Sequence, residues 1–140
     1  MPPIAICRDD EQIEACAATM LELRTHIEPK DFLGRVRSQM RRGYLLAYLE
    51  HDGEVKAVAG FRFGEFLAWG RIMCVDDLVV KESERGKGFG GQLLEWLKSY
   101  ARANGCEQFH LDSGTHRLDA HRFYKTHGME ISSHHFGMKL

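Results

Sequence analysis

A glycine-rich stretch that follows a hydrophobic run is the feature that most restricts how this chain can fold. The hydrophobic residues between Ile72 and Val80 predict a strand, and a polar turn at residues 81–84 ends it. Four glycines follow within six residues: Gly86, Gly88, Gly90 and Gly91. The apolar spacing of residues 89–101 predicts a helix that begins in this same stretch. A strand, a glycine loop and a helix N-terminus in this order are typical of a phosphate-binding site.

The chemistry of this loop favours an anionic ligand. Glycine lets the main chain turn sharply and lets a ligand approach it closely. The unpaired N–H groups at a helix start, together with the positive end of the helix dipole, attract a phosphate. Arg85 and Lys87 add two cationic side chains at the same place. The sequence therefore predicts a loop that binds a diphosphate.

The glycine spacing separates the known kinds of phosphate loop. A nucleoside triphosphate loop needs Ser or Thr after Gly-Lys, whereas Gly86-Lys87 is followed here by Gly88. A dinucleotide fingerprint needs Gly-x-Gly-x-x-Gly, which Gly86, Gly88 and Gly91 satisfy, and Glu107 lies near the expected position of its acidic partner. The rest of the chain is too short for a second substrate domain. A nucleotide-binding oxidoreductase fragment is thus a less favoured alternative.

Two segments resemble the GCN5-related N-acetyltransferase (GNAT) superfamily. The run from Arg85 to Gly90 is similar to the family's Arg/Gln-x-x-Gly-x-Gly/Ala loop, and residues 78–80 resemble the strand before it. Residues 120–129 resemble the downstream Ala-x-x-Phe-Tyr-x-x-x-Gly-Phe segment, with Met129 in place of the final Phe. The resemblance covers the second half of the chain well and the first half only in the order of its elements.

The resemblance implies an α/β fold with a GNAT-like mixed central sheet. Its N-terminal strands are antiparallel, a splayed parallel pair lies in the middle, and about four helices flank the sheet. It also implies an N-acetyltransferase that moves an acetyl group from acetyl-CoA directly to a primary amine of a small molecule or a protein. No metal takes part. The residues implied to bind acetyl-CoA are Leu78, Val79, Val80, Arg85, Gly86, Lys87, Gly88, Phe89, Gly90 and Gly91.

The same resemblance assigns one of the two proton transfers. Tyr124 matches the tyrosine that protonates the leaving thiolate, and packing of its ring beside Phe123 is the less favoured alternative. Asp76 and Asp77 lie on the strand that carries the cofactor, and alternation predicts that they point to opposite faces. Asp77 is the favoured general base. The alternatives are Asp76, Glu65, His110, His116 and bulk water.

Other polar residues are less informative. None of the eight histidines has the helix spacing of a zinc enzyme, so no metal site is predicted. Arg117 stands where many family members have Asn, and it either contacts CoA or substrate or faces solvent. The four arginines between residues 35 and 42 are expected to form a solvated helix face.

Composition narrows the class of protein. The 140 residues suit one domain, 1–140, and a net charge of −1 argues against a nucleic-acid or anionic-membrane partner. Four scattered cysteines indicate free thiols, and the absence of a signal-like N-terminus or a long apolar run predicts a cytoplasmic location. Homodimers are common in the family. A non-catalytic acyl-CoA-binding or sensing domain of the same fold is the alternative function.

Local patterns predict the remaining elements. The sequence predicts a strand over residues 4–7 and a helix capped by Asp9 or Asp10. A further helix is predicted to start near Asp31. Asp52-Gly53 predicts a hairpin between strands 44–50 and 55–63. An aromatic connection at residues 65–70 follows. Later elements are a helix ended by Gly105, a strand near 109–111 parallel to the central strand, a helix over 118–126 closed by Gly128, and one or two strands in 129–140.

Overall fold

The computed structural model describes residues 3–140, which fall into two compact units. The first unit runs to His110 and the second is Leu111–Leu140. The predicted organisation as one domain stays a prediction. The strands are β1 (Ile4–Ile6), β2 (Leu45–His51), β3 (Glu54–Phe66), β4 (Gly70–Val80) and β5 (Gln108–Leu111). The helices are α1 (Asp10–Ala15), α2 (Ala17–Leu23), α3 (Phe32–Met40), α4 (Phe89–Ala103) and α5 (Leu118–Thr126).

The five strands form one mixed sheet in the order β1-β2-β3-β4-β5. The first four strands are antiparallel neighbours, and β5 runs parallel to β4. The turn between β2 and β3 has positive φ at Asp52 (54°) and Gly53 (73°), as a tight hairpin requires. These observations confirm the predicted fold class, the hairpin and the parallel pair.

Apolar side chains cover both faces of the sheet in the first unit. Alternation along β3 places Val58 in a cluster with residues of α1, α2 and α3. Phe61, on the opposite face, packs edge-on against Tyr100 of α4 with ring centroids 5.9 Å apart. Helices therefore hold the sheet from two sides, as in other α/β layers, and β4 is fixed between them.

The N-terminal helical region departs from the continuous apolar pattern. Asp9 is the N-cap of α1, since its side chain accepts a hydrogen bond from Gln12 N at 2.9 Å. The helix then breaks at Cys16, which ends α1 and begins α2. Cys16 is buried with its Sγ 3.7 Å from Cys7 Sγ, and all four cysteines are free thiols. Tertiary packing of this thiol pair overrides the local helical periodicity.

Two predictions about connections are wrong. The aromatic connection is shorter than residues 65–70, because the ladder between β3 and β4 continues to the pair Phe66–Gly70. Residues 129–140 contain no helix or strand. That segment is exposed beyond Met129, and its polar run Ser132–His135 lacks the apolar alternation that would anchor a strand on a sheet.

The second unit contains α5 with the predicted bounds, followed by Gly128 at a φ of 87°. A left-handed residue at this position is a common helix end, and glycine adopts it without strain. No helix among the described residues is both long and apolar enough to cross a membrane.

Candidate active site

The glycine loop joins the end of β4 to the start of α4. A short 3-10 turn at Glu82–Glu84 ends the strand, and Gly86 and Gly88 follow with φ of 84° and 85°. Gly88 is the N-cap of α4, and its carbonyl accepts from Gln92 N at 3.1 Å. The first amides of an α-helix have no carbonyl partner within the helix. The amides from Phe89 onward are thus the groups that an anion would use.

The space above the loop also fits an anion. A Cβ built on Gly86 would have no heavy atom within 4 Å, so glycine is needed there for its left-handed φ rather than for lack of room. A phosphate group can therefore reach the main chain at Gly86 directly. The residues present fit the diphosphate of CoA.

Glu84 ties the loop to the sheet. Its carboxylate accepts from Lys87 Nζ at 2.6 Å and from Lys56 Nζ at 2.9 Å. The hydrogen bond from Lys87, and next that from Lys56, lower the pKa of Glu84 to about 2. Lys56 is buried in β3, and Arg85 Nε donates to the carbonyl of Val80 at 3.4 Å. The first residues of the loop are thereby anchored at the end of β4.

A β-bulge interrupts the pairing of β3 with β4. Gly60 faces Asp77 and Phe61 faces Val75, so Asp76 is the extra residue on β4. Beyond the bulge, Leu78–Val80 pair regularly with β3. Bulges re-aim side chains and are frequent beside active sites. This bulge sets the direction of the two aspartates.

Asp77 is held by donors from two other elements. Its Oδ1 accepts from Arg24 Nε at 2.8 Å, and its Oδ2 accepts from the Tyr44 hydroxyl at 2.7 Å. Tyr44 is buried, and burial together with the charge of Asp77 raises its pKa well above the ordinary range. A Cβ on Gly60 would lie 1.7 Å from the Tyr44 oxygen. Gly60 therefore makes the room in which the Tyr44 hydroxyl reaches Asp77.

Asp76 has a separate set of partners. Its Oδ2 accepts from Arg62 Nε at 2.7 Å, and Arg62 Nη2 also donates to Gln39 Oε1 at 2.9 Å. Arg24 Nη2 donates to the main-chain carbonyl of Asp76 at 2.9 Å. Arginines thus brace both aspartates of the bulge.

Both aspartates line one cavity of about 400 Å³ that α2 and α3 also border. The prediction that Asp76 and Asp77 point to opposite faces is wrong, because the bulge breaks the alternation. Arg35 lines this cavity as well. Arg35 is nevertheless exposed, as are Arg37, Arg41 and Arg42, so the expected solvated face of arginines is confirmed. A cavity of this size suits a small organic ligand.

Tyr124 lies on α5 in the second unit and is half-buried. Burial raises the pKa of its phenol, and the nearby charge of Arg117 lowers it by a smaller amount. Its ring meets Phe123 edge-on, with centroids 5.5 Å apart. The phenol is therefore protonated at neutral pH, as a tyrosine of ordinary pKa also is. The catalytic role of Tyr124 and the contacts of Arg117 stay predictions.

The other candidates make ordinary contacts. Glu65 is an exposed residue paired with Arg71 across the ladder of β3 and β4. His110 stacks on Trp69 with centroids 4.1 Å apart, and His116 is an exposed residue. Within residues 3–140, no group of three His, Cys, Asp or Glu side chains is placed to hold a metal ion.

Sequence patterns did not indicate Arg24, Tyr44 or Arg62 as site residues. None belongs to a motif, and each reaches an aspartate only through tertiary structure. One signal was present: Gly60 interrupts an apolar strand, and an isolated glycine in a strand often marks a bulge or a close approach.

The fold and the loop together define an acetyltransferase-type α/β protein. The model of the Acetyltransferase (GNAT) family matches residues 10–129. The chain belongs to this family.

Relatives and solved structures agree with this assignment. An uncharacterized N-acetyltransferase of Bacillus subtilis (strain 168), YhdJ, is 33% identical over 119 residues, which is 84% of each chain. The aminoalkylphosphonate N-acetyltransferase of Salmonella typhimurium is 40% identical over 66 residues, covering 47% of this chain and 43% of that protein. The aminoglycoside N-acetyltransferase AAC(6')-Iy, solved in complex with CoA, matches with a TM-score of 0.84 and 12% identity over 100% of this chain and 96% of its own. That last likeness concerns the fold alone.

Proposed function

We propose that this protein transfers an acetyl group from acetyl-CoA to a primary amine of a small molecule or a protein. The observation that carries the proposal is the glycine loop, in which Gly86 and Gly88 have positive φ directly before α4. Membership of the family supports it, as does the presence of CoA in a protein of the same fold. The amine acceptor in the name of the Salmonella relative supports an amine substrate here.

Two segments of the first unit would bind acetyl-CoA. The amides of the loop from Arg85 to Gly91, at the N-terminus of α4, bind the diphosphate. The main chain of Leu78, Val79 and Val80 pairs with the amides of the pantetheine arm, as an added strand pairs with a sheet edge. Because both segments follow one another along the chain, one extended ligand can contact both.

The transfer itself is a direct substitution at the thioester. The neutral amine attacks the acetyl carbon, a C–N bond forms and the C–S bond breaks. The nitrogen loses one proton and the CoA sulfur gains one. Most of the rate enhancement comes from holding two reactants in the right orientation, with main-chain donors stabilising the carbonyl oxygen as it becomes negative.

Tyr124 is the proposed donor of the proton that the sulfur receives. Its half-buried phenol carries a proton at neutral pH that it can donate. Protonation of the sulfur as the C–S bond breaks stabilises the departing group, so a proton donor accelerates the step.

Asp77 is the proposed acceptor of the amine proton. Each of its oxygens already accepts one hydrogen bond, from Arg24 or from Tyr44, and a carboxylate oxygen has a second lone pair for an ammonium group or a water. Asp76, in the same cavity, is the alternative. If Asp77 is the base, Asp77→Asn lowers kcat/KM far more than Asp76→Asn does. The reverse pattern would assign the base to Asp76.

The experiment that tests the proposal is an acetyl-transfer assay. Purified protein is incubated with acetyl-CoA and a panel of primary amines, and free thiol is followed with time. Thiol release that depends on the amine, with an N-acetylated product in the mass spectrum, supports the transferase. Binding of acetyl-CoA without release for any amine would contradict it and would favour a non-catalytic acyl-CoA sensor.

A further inference from the structure

The charged side chains around the cavity are not all paired. Asp77 is paired with Arg24, and Asp76 is paired with Arg62. Each carboxylate of the bulge thus has an arginine within hydrogen-bond distance. An additional cation in the same cavity therefore has no carboxylate left to neutralise it.

Arg35 is that additional cation. It lies on α3 and lines the cavity, and within residues 3–140 no hydrogen bond or ion pair engages its guanidinium. Two other arginines of this segment are paired: Arg37 of α3 with Asp10, and Arg42, just after the helix, with the hydroxyl of Ser38. His26 lines the cavity too.

We propose that the acceptor is a small amine that also carries a carboxylate, phosphate or phosphonate group, and that Arg35 binds this anionic group. The inference rests on the proposed function, with the cavity as the acceptor site. A guanidinium presents a planar pair of donors that matches such oxyanions in geometry and charge. The amino group of the same molecule would lie toward Asp76 and Asp77.

The same charges argue against other acceptors. A polyamine would place a second cation beside Arg35, where like charges repel. A neutral amine would gain nothing from Arg35. A cavity of about 400 Å³ suits a small acceptor better than a folded protein surface.

The test compares amines of similar size and different charge. The panel contains 2-aminoethylphosphonate, O-phosphoethanolamine and β-alanine as anionic amines, ethanolamine and propylamine as neutral ones, and 1,3-diaminopropane as a dication. We expect kcat/KM to be highest for the anionic amines and lowest for the diamine. A charge-assisted hydrogen bond corresponds to a preference of roughly tenfold or more.

Substitutions in and directly after α3 test whether Arg35 causes the preference for anionic amines. Arg35→Gln is expected to raise KM for the anionic amines about tenfold and to leave the neutral amines within about twofold. Arg35→Lys restores part of the loss. Arg41→Gln is the matched control, because Arg41 is an exposed residue at the end of the same helix outside the cavity lining. Arg41→Gln should leave KM unchanged for both the anionic and the neutral amines.

Two readouts separate failure of this inference from failure of the proposed function. Equal kcat/KM for anionic and neutral amines, or an equal loss for both in Arg35→Gln, would overturn the inference while the transferase stands. Calorimetric titration with 2-aminoethylphosphonate supplies the second readout. If no amine is acetylated but the wild type binds this compound and Arg35→Gln does not, the proposed function fails and the anion site is upheld. If the wild type neither binds 2-aminoethylphosphonate nor acetylates any amine, the inference is wrong.

Discussion

A single carboxylate joins three elements of the first unit. Asp77 on β4 accepts from Arg24, at the C-terminal end of α2, and from Tyr44, just before β2. Hydrogen bonds to a charged group contribute about 1.5–3 kcal/mol each when partly buried. This residue therefore fixes one wall of the cavity.

Tyr124→Phe separates a proton donor from a packing residue. Phenylalanine keeps the ring contact with Phe123 but cannot protonate a thiolate. We expect kcat to fall about 100-fold, the lower range for loss of a general acid, with the affinity for acetyl-CoA unchanged within about twofold. Steady-state kinetics and calorimetry measure the two quantities.

Tyr100→Phe is the control for that substitution. Tyr100 is also half-buried and stacks on Trp96 with centroids 5.0 Å apart. Removal of the Tyr100 hydroxyl in Tyr100→Phe should leave kcat unchanged. An unaltered kcat in Tyr124→Phe would remove Tyr124 from the mechanism.

At the scale of elements, Gly60 provides the room for the Tyr44 ring beside the bulge. Gly60→Ala would place a methyl group against the buried Tyr44 ring, so the phenol must shift away from Asp77. Overpacking of this kind destabilises by about 1–3 kcal/mol. Urea denaturation measures the change in the free energy of unfolding.

Two comparisons test whether contact with Tyr44 causes the lower stability of Gly60→Ala. Gly34→Ala, in α3 where a Cβ meets no atom within 4 Å, should be neutral or stabilising by about 0.5–1 kcal/mol. In a Tyr44→Ala background, Gly60→Ala should cost little, because the clash partner is gone. Equal losses in both backgrounds would show that Tyr44 is not the reason for glycine at this position.

The turn before the glycine loop predicts a pH effect. The pKa of Glu84 is lowered from 4.5 to about 2 in the folded protein, first by the hydrogen bond from Lys87. Below pH 4.5 the unfolded chain therefore binds a proton that the folded chain does not. The stability due to Glu84 is present above that pH and is lost as the pH falls toward 2.

Glu84→Gln should accordingly lower Tm at pH 7 and make Tm fall less steeply between pH 5 and pH 3 than in the wild type, because the residue no longer titrates. Glu82→Gln, an exposed substitution in the same 3-10 turn, should keep the wild-type slope. Melting curves across this pH range measure the difference. Parallel curves for Glu84→Gln and the wild type would contradict the assigned role of Glu84.

Elements with strong local signals could be predicted from the sequence, and those set by distant contacts could not. Asp52-Gly53 and Gly128 specify their own turns through φ, and the loop at Gly86 and Gly88 carries its own pattern. The break at Cys16 and the shared direction of the two bulge aspartates depend on packing between elements remote in the chain. No local pattern encodes such contacts.

At the scale of the molecule, the sheet and the helices on its two faces hold β4 in place. Asp77, at the bulge, and Val80, before the loop, lie about 10 Å apart along this strand, given a rise of about 3.3 Å per residue. One strand thus positions both the proposed acceptor cavity and the proposed diphosphate loop. The anchoring of both on a single rigid element is the physical basis of the transferase assignment.

Calorimetric titration of CoA into the folded protein tests this account most directly. Gly86→Ala is compared with Gly105→Ala, since both glycines have positive φ (84° and 78°) and open space around them, but only Gly86 lies in the loop. We predict that the wild type and Gly105→Ala bind CoA alike, that Gly86→Ala binds about tenfold more weakly, equivalent to about 1.4 kcal/mol, and that pantetheine, which lacks the diphosphate, binds weakly to all three. No affinity of the folded wild type for CoA, or equal affinity in the two variants, would contradict it.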